Sequence, residues 1–206
     1  KLIDIKDLDE FLLRIKNKQF SIDKISCSIF YINQIIKNNL ILNKSDPIYY
    51  LKSIKNNIEI NNMIKTHIID GVALTKFIYW LKNKTKLNLT EVDAQNKLEN
   101  FRKKNSKYLF PSFQTIAGSG KNGAIVHYRA KKNSTKILKK NEIFLCDSGG
   151  QYKFGTTDVT RTICFKNQNK KIKDIFTNVL KGHIAVVQTD LNKKKTGKLI
   201  DIEARR

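Results

Sequence analysis

The stretch from 147 to 162, Asp-Ser-Gly-Gly-Gln-Tyr-Lys-Phe-Gly-Thr-Thr-Asp-Val-Thr-Arg-Thr, limits the folds open to this chain more than any other. Glycines and turn-forming residues fill its middle. Phe144-Leu145-Cys146 leads into it, and the β-branched run Val159–Phe165 leads out. That pattern predicts a hairpin. With the turn near Tyr152-Lys153, Asp147 falls directly opposite Asp158, and directly opposed residues share a face with Cβ atoms about 4.5–5.5 Å apart. Two carboxylates held so close repel and raise one pKa unless a cation lies between them. A metal resolves the repulsion: oxygen ligands suit Mn²⁺, Mg²⁺ or Zn²⁺, and paired sites hold ions about 3.5–4 Å apart. One aspartate beside glycine is usually a turn residue. Here each abuts an apolar strand, where a charge needs a partner, so the pair reads as metal-ligating.

The rest of the chain supplies helices. Leu8–Ile15 reads as a short helix and Ile25–Ile36 as a strand or a helix. Ser45-Asp46-Pro47 is a turn signal and the expected domain boundary. From Ile54 to Leu81 apolar residues recur every three to four positions, which predicts a long helix. Thr90 starts another, with Asp93 placed to reach back as a cap and Val92, Leu98 and Phe101 as its apolar face. After Pro111 the texture changes: Gly118-Ser119-Gly120 and Asn122-Gly123 are turn chemistry, and Ala124–Tyr128, Glu142–Cys146 and Val159–Phe165 are strand candidates. Ile172–Val187 returns to a helical period. Helices packed on a hairpin-rich sheet make an α+β domain.

The chain has 206 residues, 40% of them hydrophobic, which suits one core or one and a half. Its formal net charge is +22, a field that favours nucleic acid, anionic membrane or acidic partners. The lysines, however, sit in short scattered clusters such as Lys131-Lys132, Lys139-Lys140, Lys170-Lys171 and Lys193-Lys194-Lys195, mixed with Asn and Ser. Arginine, which reads bases and phosphates in forks, stands only at positions 14, 102, 129, 161, 205 and 206. A solvated surface is the better reading, and no nucleic acid partner is expected. No apolar run approaches the ~20 residues of a membrane-spanning helix. Cys27, Cys146 and Cys164 are far apart and odd in number, which argues against a disulfide framework and for a reducing compartment. The first residue is Lys1, not Met, and the chain is expected to be a piece of a longer protein.

Asp147-Ser-Gly-Gly-Gln-Tyr152 followed by Gly155-Thr-Thr-Asp-Val-Thr-Arg-Thr162 resembles the metal-binding hairpin of the aminopeptidase P (Xaa-Pro aminopeptidase) family of pita-bread metallopeptidases. The likeness runs from about Pro47 to the end, through Thr66-His67-Ile68 with Asp70, Phe113 with Thr115-Ile116, Gly123–Tyr128, and Val179–Ala185. The resemblance implies that residues 47–206 are the N-terminal part of a pita-bread domain and that residues 1–46 are the tail of a preceding non-catalytic α/β domain. It implies that Asp147 binds the first metal and Asp158 bridges both. His127 is the family's active-site histidine, a hydrogen-bond donor to substrate or tetrahedral intermediate and not a ligand. Read from the residues alone, a histidine on an apolar strand is more often a satisfied core residue. Thr160 is placed to orient a ligand carboxylate. His67 and His183 read as structural. Phe154 stands where relatives commonly carry Asp or another polar residue, a turn position of little consequence.

The implied activity is release of an N-terminal residue that precedes proline, by attack of a metal-activated hydroxide. The implied cofactors are two divalent ions, Mn²⁺ first, with Zn²⁺ or Co²⁺ as alternatives. The implied protein is a cytoplasmic homodimer with no membrane partner. The family's other ligands, one His and two Glu, lie in the second half of the domain beyond Arg206, so this piece alone is expected to be inactive and to expose apolar surface. The competing reading is a non-catalytic pita-bread module that binds a protein or nucleic-acid partner through its basic surface. Retention of both aspartates and of His127 argues against it.

Overall fold

The computed structural model describes residues 2–83, 88–193 and 196–205. Lys194 and Lys195 of the last lysine cluster, and Arg206, lie outside the described residues. Contacts divide the chain into two compact units, Lys1–Ile60 and Asn61–Arg206.

The first unit holds α1 (Leu8–Arg14), β1 (Gln19–Ile22), α2 (Ile29–Ile35), β2 (Leu40–Asn43) and α3 (Pro47–Ser53). The ambiguous segment 25–36 resolves as a helix because the Ser28 hydroxyl caps it, accepting from the Phe30 amide at 3.3 Å. β1 and β2 pair in parallel, Gln19 opposite Leu40. Leu12, Ile22, Ile32 and Ile35 form the core of this unit. Asp46 caps α3 with Pro47 in its first turn, the arrangement that proline's fixed φ and missing N–H favour. The side chain of Asp23 accepts from the amides of Ile25 and Asp46, which holds its carboxyl below the usual range.

The long helix α4 (Asn57–Lys82) begins later than its apolar period suggests. Ile54 is extended, and a reciprocal cap starts the helix: Asn56 Oδ1 accepts from the Glu59 amide at 2.9 Å while Glu59 Oε2 accepts from the Asn56 amide at 2.8 Å. Thr66, Asp70, Ala73, Leu74, Phe77 and Leu81 form its buried stripe. α5 (Glu91–Arg102) opens with the expected box, Thr90 and Asp93 each accepting from the other's amide.

Two small antiparallel sheets follow. β3 (Tyr108–Pro111) pairs with β6 (Gly150–Tyr152), which pairs with β7 (Gly155–Thr156); β4 (Ile116–Ser119) pairs with β5 (Ile143–Ser148), which pairs with β8 (Val159–Cys164). Phe144, Cys146 and Ile163 turn one face of the second sheet to Leu74, Phe77, Leu81, Ala94, Leu98 and Leu138 in the main core. The chain ends in α6 (Lys170–Val187) and α7 (Gly197–Arg205). The fold class is α+β, as expected.

One expected strand does not form. Ala124–Tyr128 follows a 3-10 turn, Gly120–Ala124, and His127 takes a left-handed φ of 54°. Asn122 and Tyr128 direct their side chains to the buried carboxylate of Glu91, and those bonds override the β-propensity of Ile125 and Val126, both left exposed. His127 is therefore neither a strand residue nor a core histidine.

Candidate metal centre

Burial alternates along β5: Phe144, Cys146 and Ser148 are buried, while Ile143, Leu145 and Asp147 lie on the other face. The core claims the first set, so Asp147 is turned away from it. Asp147 lies opposite Ile116 on β4 and opposite Thr160 on β8. The Thr160 hydroxyl donates to Asp147 Oδ1 at 2.8 Å.

The hairpin register differs from the expected one. Tyr152 pairs with Gly155, so Lys153 and Phe154 form the turn, and the direct partner of Asp147 is Thr160, not Asp158. The cause is Tyr152. It is 2% exposed, its hydroxyl donates to Asp70 Oδ1 at 2.7 Å, and its ring meets Tyr108 edge-on with centroids 5.3 Å apart. A residue so engaged must lie in the strand, which pushes the turn one position onward. Moving the turn by one residue moves each cross-strand partner by two, and side chains alternate with a period of two. Both aspartates thus keep the same face, as diagonal neighbours instead of an opposed pair; diagonal positions lie roughly 7–8 Å apart. Asp158 sits in the link between β7 and β8 and is exposed, with no hydrogen bond or ion pair among the described residues.

These side chains meet at a cleft of about 380 Å³ lined by Phe113, Gln114, Ile116, His127, Arg129, Asp147 and Asp158. His127 and Arg129 come from the loop after β4, and Asp147 and Asp158 from the hairpin. Sequence reasoning missed Phe113, Gln114, Ile116 and Arg129 as lining. Phe113 and Ile116 stand in a segment that carries the family resemblance, and Arg129 two residues past His127, but none of them was read as lining a cleft. His67 and His183 are exposed on α4 and α6 and do not line the cleft; the His67 ring contacts the Met63 carbonyl at 2.9 Å.

Behind Asp147 lies a buried polar network. Arg102, 1% exposed, donates from Nε to Asp70 Oδ1 at 2.7 Å and from Nη2 to Asp70 Oδ2 at 3.1 Å. Its Nη2 also donates to the hydroxyl of Ser148 at 3.1 Å. Burial opposes the charge on Asp70, but the hydrogen bonds and charge of Arg102, with the Tyr152 hydroxyl, outweigh it and hold the carboxyl below its ordinary value. Burial, reinforced by the Asp70 carboxylate, pushes the Tyr152 phenol up. The next corner needs glycine: a Cβ on Gly149 would stand 1.9 Å from the Thr157 carbonyl oxygen and 2.2 Å from Ser112 Oγ. Arg102 through Ser148, and Gly149 against Thr157, thus engage the segments that follow Asp147 and precede Asp158.

Asp147 and Asp158 offer hard oxygen donors to one cleft, and the Thr160 hydroxyl occupies one oxygen of Asp147 while leaving the other free. That chemistry fits a divalent cation. Among the described residues no group of three or more His, Cys, Asp or Glu converges, so the residues present fit the acidic part of a metal centre and no more. Among the same residues, no helix is long and apolar enough to cross a membrane.

Residues 61–206 match the model of metallopeptidase family M24. The chain is 40% identical over 181 residues to the Xaa-Pro aminopeptidase ApepP of Drosophila melanogaster, covering 87% of this chain and 30% of that protein. Among solved structures, the X-prolyl aminopeptidase of Caenorhabditis elegans, described as a cytosolic enzyme with a di-nuclear active site, superposes with a TM-score of 0.69 at 33% identity over 78% of this chain and 26% of that one. The prolidase of Pyrococcus furiosus superposes with a TM-score of 0.78 at 25% identity over 100% of this chain and 58% of that one. The chain thus spans less than a third of the length of the curated relatives it matches.

Proposed function

The chain belongs to metallopeptidase family M24, and from that premise we propose that the complete protein is a metal-dependent aminopeptidase releasing the N-terminal residue of peptides with proline in second position. The observation that carries this reading is the meeting of Asp147 and Asp158 with His127 on one cleft, in a chain 40% identical to a Xaa-Pro aminopeptidase. Asp147 and Asp158 would hold two divalent ions, Mn²⁺ first; the di-nuclear description of the nematode neighbour supports the number. When bound, such ions supply Lewis-acid activation of water and of the scissile carbonyl. The Thr160 hydroxyl fixes the rotamer of Asp147 and leaves its second oxygen to face the cleft. His127 donates a hydrogen bond to the scissile carbonyl oxygen, where negative charge develops. Phe113 and Ile116 give the cleft an apolar wall for a proline ring. The Xaa-Pro amide lacks an N–H, so recognition must rest on such contacts instead of strand-like pairing.

By the same reading, residues 1–46 are the tail of a preceding non-catalytic domain and residues 47–206 the N-terminal part of the metallopeptidase domain. The protein is a cytoplasmic homodimer, consistent with a neighbour described as cytosolic. These 206 residues alone are inactive, because two carboxylates are a partial donor set.

The test is hydrolysis of Arg-Pro-Pro by the full-length protein, with free arginine followed by mass spectrometry. Release that requires added Mn²⁺ and is abolished by Asp158→Asn is the expected result. A folded full-length protein that releases no N-terminal residue with Mn²⁺, Zn²⁺ or Co²⁺ would overturn the reading, and the basic binding module would replace it.

A further inference from the structure

Glu91, at the first turn of α5, is fully buried. Among the described residues it has no ion pair, and four neutral groups converge on it instead. Ser119 N donates to Oε1 at 2.7 Å, and Asn122 Nδ2 lies 2.9 Å from Oε1 and 3.2 Å from Oε2. The Tyr128 hydroxyl and the Lys136 amide donate to Oε2 at 2.8 and 3.0 Å. A buried carboxylate is costly unless its lone pairs are filled; these donors fill them, and the N-terminal end of α5 adds a favourable dipole.

The four donors are not scattered. They mark the start, middle and end of the loop 119–136, which carries His127 and Arg129 to the cleft. Backbone bonds lace the far end to the same place, Glu91 N to the Lys136 carbonyl at 2.9 Å and Leu138 N to the Leu89 carbonyl at 2.8 Å. His127 makes no hydrogen bond of its own among the described residues and takes φ 54°. A non-glycine residue in that region persists only where its surroundings hold it. Its nearest anchor is the adjacent Tyr128, whose phenol, through burial and then the Glu91 carboxylate, is pushed up to about 12 and so remains a donor.

We propose that Glu91 is a positioning residue for the cleft: its buried carboxylate gathers the loop 119–136 and thereby holds His127, through Tyr128 and Asn122, where it can meet a substrate. The inference rests on the proposed role of His127 toward the scissile carbonyl. Glu91 touches no reacting atom and acts only through the loop. Glu91→Gln keeps the shape but sets an NH₂ group against donors, leaving at least one of them without an acceptor.

The test is a double-mutant cycle in the full-length protein, with Arg-Pro-Pro as substrate and Mn²⁺ present. Glu91→Gln is expected to lower kcat about 10–100-fold, the range typical of outer-shell partners, with a much smaller change in KM. In a His127→Ala background the same substitution is expected to add little, since both act through one group. Fully additive losses, or an unchanged kcat in the single variant, overturn the proposal. A second readout does not depend on activity. These 206 residues hold three histidines, and in the metal-free full-length protein the ¹⁵N imidazole signals assigned to His67 and His183 should stay in place in Glu91→Gln while that of His127 moves. An unmoved His127 signal overturns the proposal even if peptidase activity is lost. A moved signal in a protein with no peptidase activity leaves the positioning intact and overturns the proposed function instead. Should Glu91→Gln fail to fold, Tyr128→Phe, which removes one donor, is read in the same two ways.

Discussion

At the scale of single residues, the site depends on what lies one bond behind it. Thr160 makes no demand on the fold, yet its hydroxyl fixes one oxygen of Asp147. Thr160→Val is therefore expected to weaken Mn²⁺ binding by the full-length protein about 10–100-fold with little change in melting temperature, and Thr160→Ser to restore it. Calorimetric titration with Mn²⁺ separates the two; equal affinities in Val and wild type would contradict the role. Cys146 shows the opposite situation, a reactive group made inert. Burial against the main core pushes its thiol up to about 11, so at pH 8 it is almost entirely protonated and shielded. Iodoacetamide at that pH should label Cys27 and Cys164, both partly accessible, well before Cys146, as peptide mapping would report. The Cys146 environment was not legible in the sequence, because a thiol acquires its character from neighbours far along the chain.

At the scale of elements, the hairpin and the helices behind it form one device. The Asp70–Arg102 pair joins α4 to α5 and, through Ser148 and Tyr152, to β5 and β6. Replacing Arg102 with Met leaves a buried carboxylate without its cation, a loss of about 3–5 kcal/mol, measurable as a lowered urea midpoint. Restoring balance by removing both charges should recover part of that loss. The pair also sets the acid limit of stability. Asp70 titrates below its ordinary value of 3.8, so its contribution is complete above that pH and is lost as pH falls through the lowered value. Urea midpoints measured from pH 6 to pH 2 should fall more steeply for the wild type than for Asp70→Asn. Helices α1, α4, α5 and α6, the Thr90–Asp93 capping box and the strands at 143–148 and 159–164 were readable, to within a few residues at their ends, from local periodicity and turn chemistry. The hairpin register was not, because a long-range bond from Tyr152 to Asp70 chose it.

At the scale of the whole molecule, α6 carries an apolar stripe that the described residues leave uncovered. Ile175, Phe176, Val179, Leu180, Ile184 and Val187 recur at helical spacing and are all exposed. α7 packs on α6 where Gly182 allows it, since a Cβ there would stand 2.6 Å from the Ala204 carbonyl oxygen. Exposed faces of this size bind other apolar surfaces. The 206-residue chain is expected to bind the dye ANS and to associate as its concentration rises, and Phe176→Lys with Val179→Lys to reduce both. Dye fluorescence and sedimentation provide the check; a chain that stays monomeric and dye-free at high concentration would contradict it.

The amino-acid order by itself determined many of the pieces: the longer helices, the cap that starts α5, which strands flank the glycine-rich turn, and that Asp147 and Asp158 belong to one hairpin. Those properties follow from spacings of a few residues, and even a turn displaced by one position kept both aspartates on one face because side-chain alternation has a period of two. The tertiary structure alone decided the rest. It drew Tyr152 into a strand, denied residues 124–128 a strand of their own, and buried Glu91 and Arg102 as organising charges. Each of these outcomes was selected by a partner more than twenty residues away, through hydrogen bonds that gain their strength only once water is excluded.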